Sequence, residues 1–180
     1  PSFGVGRIRS MFMYPLSFDE FLDGMGQGKL KEMKCRSNHQ NPLIQPLHEK
    51  LLDYLKKFLV IGGMPEVVKN YVEKNDLREC QKVLDDLIIS FRADFAKYKN
   101  RVPSLRIKEV FESVVLQSGG KYTYSKASQN LNILQIKEAL DLLIMAGLVI
   151  PVTHTSANGI PLGAGANPKK RKMLINDTGL

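Results

Sequence analysis

The sequence predicts a mainly α-helical chain with a small β component, in which a helical bundle is followed by a winged helix-turn-helix. Three observations predict this fold class. Apolar residues recur at helical spacing between residues 46 and 98. After residue 103 the predicted order is helix, short helix, helix and two strands, which is the order of a winged helix-turn-helix. The run Ala146-Gly147-Leu148 is typical of the step from the last helix to the ribbon, since glycine permits the reversal.

Residues 1–45 predict a strand, a helix and a flexible connection. The apolar run Met11 to Tyr14 reads as the strand, and Ser17 with Glu20 forms a capping pair for the helix that follows. Residues 29–45 look irregular, with breakers at Asn41-Pro42 and Gln45-Pro46. A strand at this place has no neighbour to pair with. We therefore expect the chain to be a piece of a longer protein.

Residues 46–102 predict three helices. Pro46 opens the first, Pro65 opens the second, and Asp76 with Glu79 predicts a capped start for the third. The inward faces of the first two are expected to be Leu51, Leu52, Leu55, Phe58 and Leu59, and then Val67, Val68, Tyr71 and Val72. The third carries an apolar stripe of Leu77, Cys80, Leu84, Leu87, Ile88, Phe91, Phe95 and Tyr98. We interpret this stripe as core or as a surface for a partner helix.

Residues 103–180 predict the winged helix-turn-helix. Ser104 is expected to cap the first helix, whose inward residues are Ile107, Val110, Phe111, Val114 and Val115. A short helix is expected from Ser125 to Leu131, and Asn132 is expected to cap the third helix. A strand over residues 148–154, a loop over 156–168 and a returning strand over 172–176 complete the prediction.

Composition excludes several classes of protein. The 43% hydrophobic and 24% charged residues are ordinary for a globular chain, and no apolar run approaches the ~20 residues of a membrane span. Cys35 and Cys80 have no metal-type spacing, which favours a reducing, cytoplasmic location. The formal net charge is +8, and four of the positive charges are consecutive, Lys169 to Lys172.

The basic run is the best candidate for a functional site. Lys169, Lys170, Arg171 and Lys172 lie on the predicted wing, Ala164 to Lys172, where flexible glycines and cations suit contact with phosphates. Lys137 and Gln135 on the third helix are added candidates. That helix also presents Leu134, Glu138 and Asp141, whereas base reading needs Arg, Asn or Gln. Non-specific contact with DNA or RNA is expected, and the alternative is a protein-interaction or oligomerisation module.

No catalytic or metal-binding set is evident in the sequence. His39, His48 and His154 have no companions at ligand spacing, and Asp85-Asp86 are adjacent on a helix, so their side chains diverge. Gly4-Val5-Gly6 lacks the third glycine of a dinucleotide fingerprint. The chain also lacks the Gly-x-x-x-x-Gly-Lys-Ser/Thr pattern that cradles a triphosphate.

Several segments together resemble prokaryotic predicted ATPases of the AAA type that carry a C-terminal domain of unknown function. The segments occur in the same order and run across essentially the whole chain: Arg7 to Leu22, Gly62 to Val68, Asp94 to Tyr98, Ala146 to Leu148 and Leu174 to Leu180. The resemblance covers the part from the late ATPase core through the winged helix, without the P-loop.

The resemblance implies the following. Arg9 to Tyr14 would be a late strand of the ATPase core, residues 46–102 a lid-like bundle, and a nuclease-like domain would follow Leu180. ATP and Mg²⁺ would be bound by the parent protein and not by this chain. Arg7 would lie near a nucleotide or a neighbouring subunit of a homo-oligomer, although a surface salt bridge is the commoner role for such a residue.

Overall fold

Seven α-helices and one antiparallel pair of strands make up the part of the chain that the computed structural model describes, residues 11–96 and 102–180. The predicted class, mainly α with a small β component, is confirmed. The segments Gly4-Val5-Gly6 and Lys97-Tyr98 lie outside the described residues, as does Arg7. The helices are α1 (Phe18–Gly24), α2 (Gly28–Arg36), α3 (Gln45–Ile61), α4 (Pro65–Lys74), α5 (Leu77–Ala96), α6 (Ser104–Leu116) and α7 (Ile133–Met145).

The predicted strand at Met11 to Tyr14 is wrong for the described residues. These four side chains are 70–95% exposed, and their backbone forms no strand. A strand requires a partner backbone, and the described sheet lies in the other half of the chain. The capping pair behind it is confirmed, because Ser17 Oγ accepts from the Glu20 N–H while Glu20 Oε2 accepts from the Ser17 N–H.

The stretch predicted to be irregular contains a helix, α2. Its one buried side chain is Leu30, so the amphipathic signal in the sequence is weak. Two lysines of α2 attach it to α1: Lys31 Nζ lies 2.5 Å from an Asp23 oxygen, and Lys34 Nζ lies 2.8 Å from an Asp19 oxygen. These ion pairs join residues of two different helices, so they are not visible in the spacing of apolar residues within α2. The sequence pattern therefore does not predict this helix.

The first core lies between α1, α3, α4 and α5. The rings of Phe21 and Phe58 are 5.3 Å apart, and the buried members of the cluster are Phe21, Ile61, Val67, Val68, Tyr71, Cys80 and Leu84. In the described part of the stripe on α5, Cys80 and Leu84 are 1–2% exposed and belong to this core, Leu87, Ile88 and Phe91 are half-buried, and Leu77 is 48% exposed. Leu52, Leu59 and Val72, expected to face inward, are instead 40–50% exposed.

The second core lies between α6, α7 and the ribbon. Ile107, Val110 and Val114 of α6 are fully buried as predicted, whereas Val115 is 41% exposed. Ser104 is the first residue of α6 and not its cap, since Pro103 occupies the cap position. The expected short helix over 125–131 is a single 3₁₀ turn, Tyr124–Lys126. Asn132 caps α7 as predicted.

The ribbon consists of β1 (Val149–Thr155) and β2 (Ala166–Ile175). Gly147, with φ +73°, turns the chain from α7 into β1 as expected. The returning strand begins earlier than predicted, so the basic run lies inside β2 and not in a flexible loop. Pairing runs from Val149 with Ile175 to Thr153 with Arg171 and then resumes at His154 with Asn167. The three residues between, 168–170, form a bulge in β2.

Candidate nucleic-acid interface

One face of the ribbon carries a basic groove, which we call the outer groove. It is lined by Lys121, Val152, Thr153, His154, Lys170, Arg171 and Lys172. Lys172 pairs with Val152 across the ribbon. The Tyr122 N–H donates to the Arg171 carbonyl at 2.9 Å, which brings the segment containing Lys121 against the free edge of β2. Three lysines from two separate segments thus border one groove.

The bulge positions the remaining lysine of the run. Pro168 has no N–H to offer to a ladder, and the Lys169 N–H donates to the Asn167 side chain at 3.0 Å. Lys169 and Lys170 therefore leave the pairing pattern and project from the strand, where both are exposed. A bulge of this kind redirects side chains that regular alternation would divide between two faces.

Arg171 lies on the opposite face of the ribbon from Lys172. Alternation in the paired part of β2 places the Arg171 side chain on the same face as Met173, which is buried. There it borders a second hollow, which we call the inner cleft, lined by Tyr124, Lys137, Leu140, Asp141, Ile144, Arg171 and Met173. Arg171 therefore borders both hollows, and it is the member of the basic run whose side chain points to the side of the buried Met173.

The two candidates on α7 have different positions. Lys137 borders the inner cleft, with Nζ 5.8 Å from the centroid of the Tyr124 ring. Gln135 belongs to the helix cap: its Oε1 accepts from the Asn132 N–H at 3.1 Å, while the Asn132 side chain accepts from the Gln135 N–H at 2.9 Å. Gln135 thus has a structural role and lies outside both hollows.

The outer groove is not neutralised by nearby acids. Among the described residues, no carboxylate lies within 4.0 Å of the charged groups of Lys169 to Lys172. The acid Glu138 of α7 is occupied by Arg106 of α6, at 3.3 Å. Unpaired lysines on a shared face attract phosphates, and bound counterions are released when the phosphates are neutralised.

The end of β2 is joined to the first core by a buried carboxylate. Asp177 is 5% exposed and accepts from the Gly63 N–H at 2.6 Å and from the Gly179 N–H at 2.8 Å. The Leu16 N–H in turn donates to the Gly63 carbonyl at 2.7 Å. We call this set of interactions the Asp177 junction. It fixes the ribbon, which ends two residues earlier, relative to α3 and α4.

Two functional positions are not evident from sequence reasoning. Lys121 follows Gly119-Gly120 and has no charged neighbour in sequence, so its approach to Lys170 and Lys172 has no local signal. Asp177 and Gly63 are 114 residues apart, and their interaction is likewise invisible in spacing. Both segments of the junction belong to the motifs that carry the family resemblance, and recurrence of Gly-Gly and Asp-Thr-Gly together is the signal that could pair them.

The described residues contain no candidate metal site. No group of three His, Cys, Asp or Glu side chains in residues 11–96 and 102–180 has the geometry to hold a metal ion. Cys35 is exposed and Cys80 is buried, and burial raises the pKa of the Cys80 thiol. No helix in the described ranges is long and apolar enough to cross a membrane.

The comparison with protein families matches one model, described as Domain of unknown function (DUF8612), over residues 52–180. The chain belongs to the DUF8612 family. The DUF8612 match includes the outer groove, the inner cleft and both Gly63 and Asp177, whereas α1 and α2 precede it. No curated protein and no solved structure matches the chain.

Proposed function

We propose that this DUF8612 chain contacts nucleic-acid phosphates through the outer groove, without reading sequence. The observation that carries the proposal is the convergence of Lys121, Lys170 and Lys172 on one groove, with Lys169 projecting beside it. Lysine is a mobile point charge that binds phosphate oxygens irrespective of the base attached. In this proposal α6, the 3₁₀ turn, α7 and the ribbon act as a winged helix-turn-helix.

The lack of sequence reading follows from the surface of α7. Its first turn exposes Ile133 and Leu134, at 57% and 67%, and Glu138 is held by Arg106. Base edges in the major groove are read by Arg, Lys, Asn and Gln. The Gln135 side chain serves the helix cap, which removes the best candidate of this type.

The wider proposal is that the chain is part of an AAA-type ATPase. It rests on the order of motifs from Arg7 to Leu180, not on the DUF8612 match, whose description names no activity. ATP and Mg²⁺ do not fit the residues of this chain, because it lacks the phosphate-binding glycine pattern and the described residues offer no cluster of metal ligands. Both would belong to a nucleotide-binding core outside these 180 residues, in a cytoplasmic protein.

The test is binding of a fluorescent DNA of about 20 nucleotides, single-stranded or duplex, as a function of salt. We expect the logarithm of the binding constant to fall linearly with the logarithm of salt concentration, because counterions are released. Replacing Lys169, Lys170 and Lys172 with alanine is expected to lower affinity at least tenfold at low salt. The magnitude of the salt slope should fall by about one for each phosphate that the variant no longer neutralises.

The matched control removes three positive charges elsewhere. Lys50, Lys56 and Lys57 on α3 are exposed and belong to the other half of the chain. Their replacement by alanine changes net charge equally and is expected to change affinity less than threefold. An equal fall in affinity for both triple variants would show general charge attraction and not a site. No binding at low salt by the unmodified protein would exclude the proposal.

The second candidate function is a protein-interaction module. The observation favouring it is the exposed apolar loop between the strands, where Ile160 and Leu162 are 98% and 59% exposed. Contiguous exposed apolar residues mark protein-interaction sites, and Ile160, Pro161 and Leu162 are consecutive and exposed in this loop. Replacing both with serine would leave DNA binding unchanged and abolish self-association or partner binding if this function is correct. The stripe on α5 offers less exposed apolar surface in its described part, since Cys80 and Leu84 are buried in the first core while Leu77 is 48% exposed.

A further inference from the structure

The inner cleft is a second basic site, on the face of the ribbon away from the outer groove. It lies between α7, the 3₁₀ turn at Tyr124–Lys126 and β2, and it encloses about 240 Å³. Pockets for drug-sized molecules are roughly 300–1,000 Å³. The cleft therefore suits a smaller ligand.

Two cations from different elements converge on this cleft. Arg171 reaches it from β2, where the hydrogen bond from the Tyr122 N–H holds its backbone. Lys137 reaches it from α7 and lies against the Tyr124 ring, which packs edge-on against Tyr122 at 5.7 Å. Both cations are thus held by ordered neighbours before any ligand arrives, which reduces the entropy lost on binding.

The guanidinium of Arg171 lacks a hydrogen-bond partner for one of its nitrogens. Its Nε is covered from solvent and donates to no acceptor among the described residues. Asp141 borders the same cleft, but within the described chain it forms no ion pair with Arg171 or Lys137. Removing a charged donor from water without an acceptor is unfavourable. An anion at the terminal nitrogens of Arg171 would offset part of that cost.

We propose that the inner cleft binds a compact phosphate-bearing molecule, with Arg171 and Lys137 holding the phosphate. A guanidinium pairs two phosphate oxygens at once, and the lysine supplies a second charge for a dianion. The carboxylate of Asp141 at the rim opposes the phosphate and accepts a hydrogen bond from a ligand hydroxyl. Arg171 borders both hollows, whereas Lys137 and Asp141 border the inner cleft and not the outer groove, so the lysines of the outer groove can be replaced without altering the proposed phosphate site.

The experiment is an NMR titration of the full chain with inorganic phosphate at constant ionic strength. We expect saturable binding, with the Arg171 side-chain Nε–H resonance shifting along the titration. Arg171→Gln is expected to weaken binding at least tenfold, and Lys137→Gln three- to tenfold. Asp141→Asn is expected to tighten binding of inorganic phosphate, because it removes a repelling charge. Lys126→Gln, a nearby exposed lysine outside the cleft, is the control and should change nothing.

A second ligand and one combined variant separate the possible sources of phosphate. Ribose 5-phosphate is expected to bind more tightly than inorganic phosphate, and Asp141→Asn should remove that difference. The variant with Lys169, Lys170 and Lys172 replaced by alanine should keep phosphate binding even though its DNA affinity falls at least tenfold. If it binds neither, the cleft is not a separate site and the proposal is overturned.

Three further outcomes would overturn the proposal. The first is the absence of saturable phosphate binding. The second is an equal effect of Lys126→Gln and Lys137→Gln, which would show screening and not a site. The third is an Arg171–Asp141 ion pair in solution, detected as lower thermal stability in both Arg171→Gln and Asp141→Asn, with no response of the unmodified protein to phosphate.

Discussion

At the scale of single residues, Gly62, Gly63 and Gly179 leave no room for a side chain. A Cβ on Gly63 would overlap the carbonyl oxygen of Leu16 and lie 2.9 Å from its nitrogen, and a Cβ on Gly179 would lie 2.5 Å from the Ile61 carbonyl oxygen. These obstacles are backbone atoms, which cannot rotate away. The glycines therefore permit three backbone segments to meet around Asp177.

We predict that Gly63→Ala strongly destabilises the protein. The added methyl group must displace the Leu16 backbone and weaken the hydrogen bond to Asp177, so a decrease of about 2–4 kcal/mol in the free energy of unfolding is expected. Urea denaturation followed by circular dichroism measures it. Gly163→Ala is the control, because a Cβ there would meet nothing within 4 Å and its φ is not in the left-handed region. Equal stability of the two variants would contradict the packing described.

At the scale of elements, the start of α7 shows that a residue chosen for function from sequence can belong to the fold. Asn132 and Gln135 form a reciprocal cap in which each side chain accepts from the backbone N–H of the other. Such a cap satisfies two N–H groups that the helix itself cannot.

We predict that Asn132→Ala costs about 1 kcal/mol of stability and that Gln135→Ala costs less, since the first removes the stronger cap. Neither change should alter DNA affinity by more than twofold. Chemical denaturation and the DNA-binding assay measure the two effects. A large decrease of DNA affinity in Gln135→Ala at unchanged stability would contradict this prediction and show that Gln135 contacts DNA.

An ion pair between α4 and α5 predicts that the stability of the protein depends on pH. Lys82 and Lys74 hold the pKa of Glu79 at about 2, below its usual 4.5, and Lys74 Nζ lies 3.0 Å from the carboxylate. Because the folded-state pKa is depressed, the stabilisation is present above pH 4.5 and is lost as the pH falls toward 2. Carbon-13 NMR of the Glu79 carboxyl should show a midpoint near 2. Lys82→Ala should raise that midpoint, and Lys82→Arg should not.

The type of an element can be predicted where apolar residues recur at regular helical spacing. It cannot be predicted where contacts with residues distant in the sequence determine the structure. The helices α3 to α7 follow from their periodic leucines, valines and isoleucines. The helix α2 buries Leu30 against Leu22 and Leu51 and forms ion pairs with α1, which are contacts with other elements. The 3₁₀ turn at Tyr124–Lys126 does not continue as a helix, and the Ser128 hydroxyl accepts from the N–H groups of Asn130 and Leu131. The start of β2 escapes prediction because Pro168 and a bulge interrupt it.

The same limit applies to the candidate site. The basic run is evident in the sequence, but its division between two faces depends on strand alternation and on the bulge, which spacing alone does not reveal. Lys121 joins the outer groove only through the hydrogen bond between Tyr122 and Arg171. The sequence therefore predicts the chemistry of the surface and not its geometry.

At the scale of the whole molecule, the first and second cores are connected by α5, which contributes Cys80 and Leu84 to the first and packs Phe91 against the second, and by the segment that follows β2. Leu180 packs against both cores, and the Asp177 junction lies beside it. Coupling between sites requires such contiguous interactions, and here they run from Leu16 through Gly63 to the ribbon.

We predict that in Asp177→Ala the first and second cores unfold with different free energies. The buried N–H of Gly63 and the part-buried N–H of Gly179 are left without an acceptor, so stability should fall by about 3 kcal/mol. In the unmodified protein the slowest-exchanging amides of α4 and α7 should report the same opening free energy by hydrogen exchange, and in the variant they should differ by more than about 1 kcal/mol. Asp86→Ala, on the exposed face of α5, is the control. Identical values for α4 and α7 in the variant would refute the connection.

The bulge at residues 168–170 has a consequence for how this surface changes over generations. Because these residues stand outside the ladder, their number and charge are free to vary while the paired positions on either side stay in register. The ribbon can thus acquire or shed lysines without a cost to folding. The same three positions offer an experimenter a place to graft a foreign loop.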